Sequence, residues 1–95
     1  MKLIEIKKIE DCFDSSVIFE YFFDQKISKK LMKGLAQYGA LKYYPNFEKP
    51  FFKIITTENV QIKGIIGDKS CEVVYPSEKK TEKKHSFEKN LLALL

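Results

Sequence analysis

Residues 43–66 read YYPNFEKPFFKIITTENVQIKGII, and this stretch contains the clearest strand pattern of the chain. Pro45 and Pro50 lack an N–H donor, so the residues between them are expected to form an exposed turn that carries Phe47. The aromatic and β-branched residues that follow Pro50 are typical of a strand. Apolar residues then alternate over 60–66, which predicts a return strand that forms a hairpin with the first.

The strand pattern continues beyond this hairpin. Glu58-Asn59 predicts a two-residue turn between the first two strands, and residues 67–70 predict a second turn. Alternating residues over 71–75 indicate a third strand, which Pro76 ends. The C-terminal half of the chain is therefore expected to form an antiparallel meander of three strands.

The residues before this stretch predict two further strands and one helix. Residues 1–9 alternate as a first strand, and the apolar run VIFEYFF at 17–23 favours a buried strand, with a short helix as the alternative. A helix is expected from Ser28, a good N-cap residue, to Gly39, a good C′ residue. It has an apolar stripe on one side, which predicts that it packs on the sheet.

The C-terminal residues divide into two segments. Residues 77–85 (SEKKTEKKH) are all charged or polar and are interpreted as a linker. Residues 86–95 predict a short amphipathic helix, which is too short to be stable alone. We expect it to dock on the sheet of its own chain, with a second copy or another partner as the alternatives.

The predicted fold class is α+β. We expect a single domain with an antiparallel sheet of four to six strands, one central helix packed on the sheet and a short C-terminal amphipathic helix. The predicted divisions are a core at 1–76, a charged linker at 77–85 and the helix at 86–95. The order of the strands in the sheet stays open.

Composition narrows the class of protein and of partner. The chain has 95 residues, 44% of them hydrophobic, which is enough for one globular core. It has no apolar run of membrane-spanning length and no leader pattern, so we expect a cytoplasmic protein without a membrane partner. All 17 basic residues are Lys. Because bidentate recognition of bases and phosphates usually uses Arg, sequence-specific DNA readout by basic side chains is disfavoured.

Few residues have the chemistry of catalysis or metal binding. Cys12, Cys71 and His85 are too few for a structural zinc site, and no CxxC motif is present. The acidic residues at 10, 11 and 14 lack the spacing and the glycine of a calcium loop. Cys71 alternates with apolar residues and is expected to be a small core residue. We therefore expect a non-enzymatic protein with no catalytic residue, cofactor or metal.

The first functional hypothesis is a small binding module that contacts a protein partner or forms a homodimer. Its expected surface combines the Pro-bounded aromatic segment with the apolar side of the C-terminal helix. The candidate residues are Tyr43, Tyr44, Phe47, Phe87, Leu91, Leu94 and Leu95.

The alternative hypothesis is weak binding of single-stranded nucleic acid without sequence specificity. Such binding combines aromatic side chains, on which bases stack, with lysines that follow the phosphates. The helix at 28–39 carries several lysines and no carboxylate among them, which is interpreted as a solvated helix face, with a surface that faces an external anion as the alternative. The candidate residues are Lys29, Lys30, Lys33, Lys53, Lys63 and Phe47.

Overall fold

The computed structural model describes residues 1–95, which form six strands and two helices. The strands are β1 (Leu3–Asp11), β2 (Val17–Phe23), β3 (Gly39–Tyr44), β4 (Phe51–Thr56), β5 (Gln61–Ile65) and β6 (Ser70–Tyr75). The helices are α1 (Lys29–Ala36) and α2 (Lys80–Leu94). All strands belong to one antiparallel sheet in the order β1-β2-β6-β5-β4-β3. The α+β class and the meander, which is β4–β6, are confirmed.

Both helices lie on one side of the sheet, which we call the covered face. The strands contribute these buried side chains to it: Val17, Tyr21, Phe23, Phe52, Ile54, Ile62, Cys71, Val73 and Tyr75. The helices contribute Leu31, Met32, Leu35, Phe87 and Leu91. Every strand except β1 alternates between this face and the opposite one, as the period of a strand requires.

The loop between β4 and β5 is one residue longer than the sequence pattern predicts. The backbone N–H of Thr56 donates to the carbonyl of Val60 at 2.9 Å, which leaves three residues in the loop. Asn59 takes a left-handed conformation with φ of 67°, as in common three-residue hairpins. A two-residue turn would place Lys53 opposite Gly64, whereas the observed register places it opposite Lys63.

The central helix α1 begins as predicted and ends earlier than predicted. The Ser28 hydroxyl accepts a hydrogen bond from the Leu31 N–H at 3.2 Å, which confirms it as the N-cap. The helix ends at Ala36, and Gly39 is the first residue of β3. A Cβ at Gly39 would lie 2.1 Å from the Ile55 carbonyl oxygen. This glycine is therefore required by the close approach of β3 to β4 and not by the end of the helix.

The C-terminal helix α2 begins at Lys80, so residues 80–85, which the sequence predicts as linker, are helical. Lysine and glutamate are good helix formers, and the Lys84 ammonium lies 2.7 Å from the Glu88 carboxylate one turn later. The same ammonium lies 4.9 Å from the centre of the Phe19 ring on the covered face. These contacts hold the first turns of α2 against the sheet, although their charged composition alone predicts a solvated segment. Neither helix is long and apolar enough to cross a membrane.

A closed polar network ties α2 to the centre of the sheet. The hydroxyls of Tyr21 and Tyr75 lie 2.6 Å apart, and the Tyr21 hydroxyl donates to a Glu88 carboxylate oxygen at 2.7 Å. Burial raises the pKa of both phenols well above their ordinary value. The Phe87 ring packs edge-on against the Tyr21 ring, with centroids 5.7 Å apart. Of the three alternatives for the C-terminal helix, the structure has it docked on the sheet of its own chain.

Candidate functional site

The side of the sheet opposite the helices, which we call the open face, has no element of the chain packed over it. It is formed by the residues that alternate with the core residues. Its central members are Ile18, Glu20, Phe22, Lys42, Tyr44, Phe51, Lys53, Ile55, Gln61, Lys63, Ile65, Ser70, Glu72 and Val74. The open face therefore mixes apolar, aromatic and charged side chains.

The middle of the open face carries one row of charges that crosses the whole sheet. Direct cross-strand pairs join Lys7 to Glu20, Glu20 to Glu72 and Glu72 to Lys63. The row continues from Lys63 through Lys53 to Lys42, and we call these three residues the lysine row. In the complete row of charges, the lysine row occupies β3, β4 and β5, and the negative part, Glu20 and Glu72, occupies β2 and β6.

The lysine row has no partner within the protein. The ion pairs of the structure involve Lys7, Lys8 and Lys84, and none involves the lysine row. Residues directly opposite each other in a sheet have Cβ atoms about 4.5–5.5 Å apart, and like charges there are destabilising. An anion bound over the row would relieve this repulsion.

Three aromatic rings form a cluster beside the lysine row, which we call the aromatic corner. Tyr44 and Phe51 stack with ring centroids 4.6 Å apart. Phe47 lies 5.2 Å from Phe51 and 6.2 Å from Tyr44, measured between centroids. Phe47 is 58% exposed, Tyr44 39% and Phe51 36%, so all three rings are accessible to a ligand. Phe51 and Lys53 lie on the same side of β4, which joins the corner to the row.

A pocket of about 470 Å³ lies between the lysine row and the negative part of the open face. Its lining includes Phe51 and Ile65, the lysines at 53 and 63, and the polar residues Glu20, Asp68, Ser70 and Glu72. Ser70 donates to a Glu20 carboxylate oxygen at 2.7 Å and so holds that side chain in place. Glu72 is exposed and makes no ion pair or hydrogen bond. The pocket therefore contains a hydrogen-bond acceptor without a partner, Glu72, beside two lysine ammonium groups without partners, those of Lys53 and Lys63.

The residues of the first functional hypothesis are distributed over three places. Tyr44 and Phe47 lie together in the aromatic corner, whereas Tyr43 is half-buried on the covered face. Phe87 and Leu91 are buried in the protein's own core. Leu94 and Leu95 are half-buried against that core. The helix side chains predicted to reach a partner are thus largely used inside the domain.

The residues of the alternative hypothesis fall into two groups. Lys53, Lys63 and Phe47 lie on the open face, and the lysines at 29, 30 and 33 lie on the exposed side of α1, beyond the covered face. Lys42 and Phe51, which complete the row and the corner, lie outside both predicted sets. The signal that would have found them is the register of the β3–β4 and β4–β5 hairpins.

The residues with catalytic potential lie apart from this face or inside the core. Cys71 is buried, and burial raises the pKa of its thiol to about 12, so it stays protonated at neutral pH. Its placement in the core is as predicted. Cys12 is half-buried, and both cysteines are free thiols. No group of three or more His, Cys, Asp or Glu side chains is arranged to hold a metal ion.

No protein family, curated protein or solved structure matches this chain. Any function proposed for this protein therefore rests on the chemistry of the open face.

Proposed function

We propose that this protein is a small non-enzymatic module that binds single-stranded nucleic acid on the β3–β5 half of the open face. The observation that carries the proposal is the position of the lysine row directly beside the aromatic corner. Phosphates would lie over the lysines, and bases would stack on the exposed rings. Each stacked base contributes roughly 1–3 kcal/mol in known single-strand binders.

Two features favour a single strand over a duplex. The faces of bases are accessible for stacking only when the strand is unpaired, and the aromatic corner offers ring surface for that contact. The row consists of lysines, which act on phosphates as point charges and do not read base edges bidentately. Binding is therefore expected to depend mainly on phosphate charge and stacking.

The proposal is tested by titrating the protein into a fluorescein-labelled octamer of uridine at several salt concentrations. We expect a dissociation constant in the micromolar range that rises with salt. Three phosphate contacts predict a slope of log K against log salt of about −2, since each contact on a single strand contributes about −0.7. Absence of binding at low salt would contradict the proposal.

Two charge-reversed variants distinguish binding at the open face from attraction of the strand to the overall positive charge of the protein. One replaces Lys42, Lys53 and Lys63 by Glu, and the matched control replaces the three exposed lysines of α1, at 29, 30 and 33, by Glu. Both variants change the net charge by the same amount. We expect the first to lose binding at least about tenfold more than the second, because phosphate contacts require proximity. Equal losses would show that the open face is not the site.

The aromatic corner is tested by Phe47→Ala with Phe13→Ala as its control. Phe13 is also exposed, but it lies in the β1–β2 loop at the other end of the sheet. Loss of one stacked base predicts an affinity about 5- to 150-fold lower for Phe47→Ala. Phe13→Ala is expected to bind as the unchanged protein does. An unchanged affinity for Phe47→Ala would show that no base stacks on Phe47.

A second candidate function, self-association through the same face, is favoured by the order of charges in the central row. If two copies met face to face about a two-fold axis parallel to the strands, between β5 and β6, Glu72 would face Lys63 of the second copy. Glu20 would then face Lys53 of the second copy. Sedimentation at low salt, with and without the uridine octamer, tests this candidate. A dimer that dissociates when the octamer is added would show that the two copies contact each other through the same face that binds the octamer. A monomer at all concentrations would exclude this candidate.

A further inference from the structure

The pocket between the lysine row and the negative part of the open face has the chemistry of a base site. Its volume of about 470 Å³ lies within the range typical of small-ligand pockets. Phe51 and Ile65 provide an apolar surface, and both lie in the row of residues next to the charged row. A base of the strand bound over the lysine row would reach this pocket without leaving the open face.

The polar groups of the pocket are arranged as an acceptor next to a donor. Glu72 and Lys63 are directly paired across β5 and β6, yet they form no ion pair. The Glu20 carboxylate already accepts a hydrogen bond from Ser70 at 2.7 Å. Glu72 and Asp68 are the pocket carboxylates with both oxygens free, and of these two Glu72 is the one directly paired with Lys63, whose ammonium is a free donor.

Among the bases, guanine fits this pair of groups best. Its pairing edge presents two adjacent donors, N1–H and the 2-amino group, which match the two oxygens of one carboxylate. Such bidentate, charge-assisted pairs are the strong hydrogen bonds of proteins. The next atom on the edge, O6, is an acceptor that suits an ammonium. Uracil has one donor between two carbonyl oxygens, so a carboxylate that approaches it also meets repulsion.

We propose that this pocket takes one guanine base of the bound strand. Glu72 accepts from N1–H and the 2-amino group, Lys63 donates to O6, and the base rests against Phe51 and Ile65. This assignment rests on the proposed function, and it adds a base preference to binding that otherwise depends on phosphates and stacking.

The test compares three labelled octamers that differ only at one central position. One is all uridine, one carries a central guanosine, and one carries a central inosine, which lacks only the 2-amino group of guanosine. We expect the guanosine octamer to bind at least about fivefold more tightly than octauridine, the lower limit for one good bidentate contact. Inosine is expected to fall between them, because it retains N1–H and O6.

Glu72→Gln tests the residue, with Glu82→Gln on the exposed side of α2 as the matched control. Both variants remove one negative charge, so any general gain in affinity is common to them. We expect the ratio of guanosine to uridine affinity to fall to about one in Glu72→Gln and to persist in Glu82→Gln. Equal binding of the three octamers by the unchanged protein would overturn the guanine pocket and leave the proposed function standing. Binding of none would overturn both, and a ratio that survives in Glu72→Gln would overturn the role of Glu72.

Discussion

The two faces of the sheet are built from alternate residues of the same strands, and they follow opposite physical rules. On the covered face every buried side-chain polar atom has a hydrogen-bond partner, and the tyrosine network is closed by Glu88. On the open face three lysines stand side by side without a counterion, next to exposed aromatic rings. Natural proteins break such local rules mainly at functional sites. The contrast therefore teaches that one face stabilises the domain, and it is the reason that we propose the other face as a binding surface.

The largest effect on stability is expected from truncating a core residue of β4, and its neighbour on the opposite face provides the comparison. Ile54 is fully buried on the covered face, and Ile55 is half-buried on the open face. Ile54→Ala should lower the free energy of unfolding by about 2–5 kcal/mol, because it leaves a cavity in the core. Ile55→Ala should cost less than about 1 kcal/mol, since water already reaches that site. Urea unfolding of both variants measures the difference, and equal costs would mean that the open face is covered in solution.

The covered face should also lose stability at alkaline pH. Burial raises the pKa of Cys71 from its ordinary 9.0 to about 12, and it raises the pKa values of Tyr21 and Tyr75 above their ordinary 10.0. Their contribution is fully present below pH 9 and is lost as the pH rises, because the unfolded chain releases protons that the folded chain retains. For each such group, the free energy of unfolding is expected to fall by about 1.4 kcal/mol per pH unit above the ordinary pKa of the group.

Urea midpoints measured at intervals from neutral pH to pH 11 follow this loss. Cys71→Ala should flatten the curve between pH 9 and 10, where the thiol of the unfolded chain titrates first. A midpoint that stays constant up to pH 11 would contradict the prediction for all three groups.

A smaller effect is expected from one hydroxyl of the covered face. Tyr21→Phe removes the hydrogen bonds to Tyr75 and Glu88 and leaves the buried Tyr75 hydroxyl without its partner, whereas Glu88 keeps its contact with Lys84; the change should cost about 1–3 kcal/mol. Tyr44→Phe is the matched control, because its ring lies in the exposed aromatic corner, and it should change stability by less than about 0.5 kcal/mol. Thermal or urea unfolding compares the two. Equal values would show that the tyrosine network does not anchor α2.

The smallest effect is a gain, and it is expected from the middle of the lysine row. Lys53→Glu converts two like-charge pairs, with Lys42 and Lys63, into two opposite-charge pairs. It should raise the free energy of unfolding by roughly 0.2–1 kcal/mol at low salt, and the gain should fade in about 1 M salt. The same variant should bind the uridine octamer more weakly. Lys33→Glu on α1 is the control for net charge, and a loss of stability in Lys53→Glu would contradict the prediction.

Local sequence patterns predicted most of the elements because their causes are local. The apolar run at 17–23 forms β2 with the predicted bounds, and Ser28 caps α1 through a contact three residues away. The start of α2 differed because the turn at 80–85 is held by tertiary contacts, above all Lys84 over the Phe19 ring. Its charged composition carries no sign of that docking.

The candidate site was less predictable because it depends on pairing between strands. The exposure of Phe47 followed from the two prolines beside it. The lysine row, in contrast, requires the correct register of two hairpins, and a one-residue error in the loop at Asn59 places Lys53 opposite a glycine. The separation of the α1 lysines from Lys53 and Lys63 depends on which side of the sheet the helices cover. Neither strand nor helix propensity contains that information.

The position of β6 between β2 and β5 has a consequence for the order of folding. Strands β3 to β6 pair with their neighbours along the chain, whereas β2 pairs with β6 across all the residues between them. Closing that long loop costs more chain entropy than forming a hairpin, so we expect β2–β6 pairing to be the late, slow event. The lysine row and the aromatic corner belong to β3–β5 and the turn before β4, so they assemble from hairpins alone. A nascent chain would thus present its positive surface before its hydrophobic core is sealed.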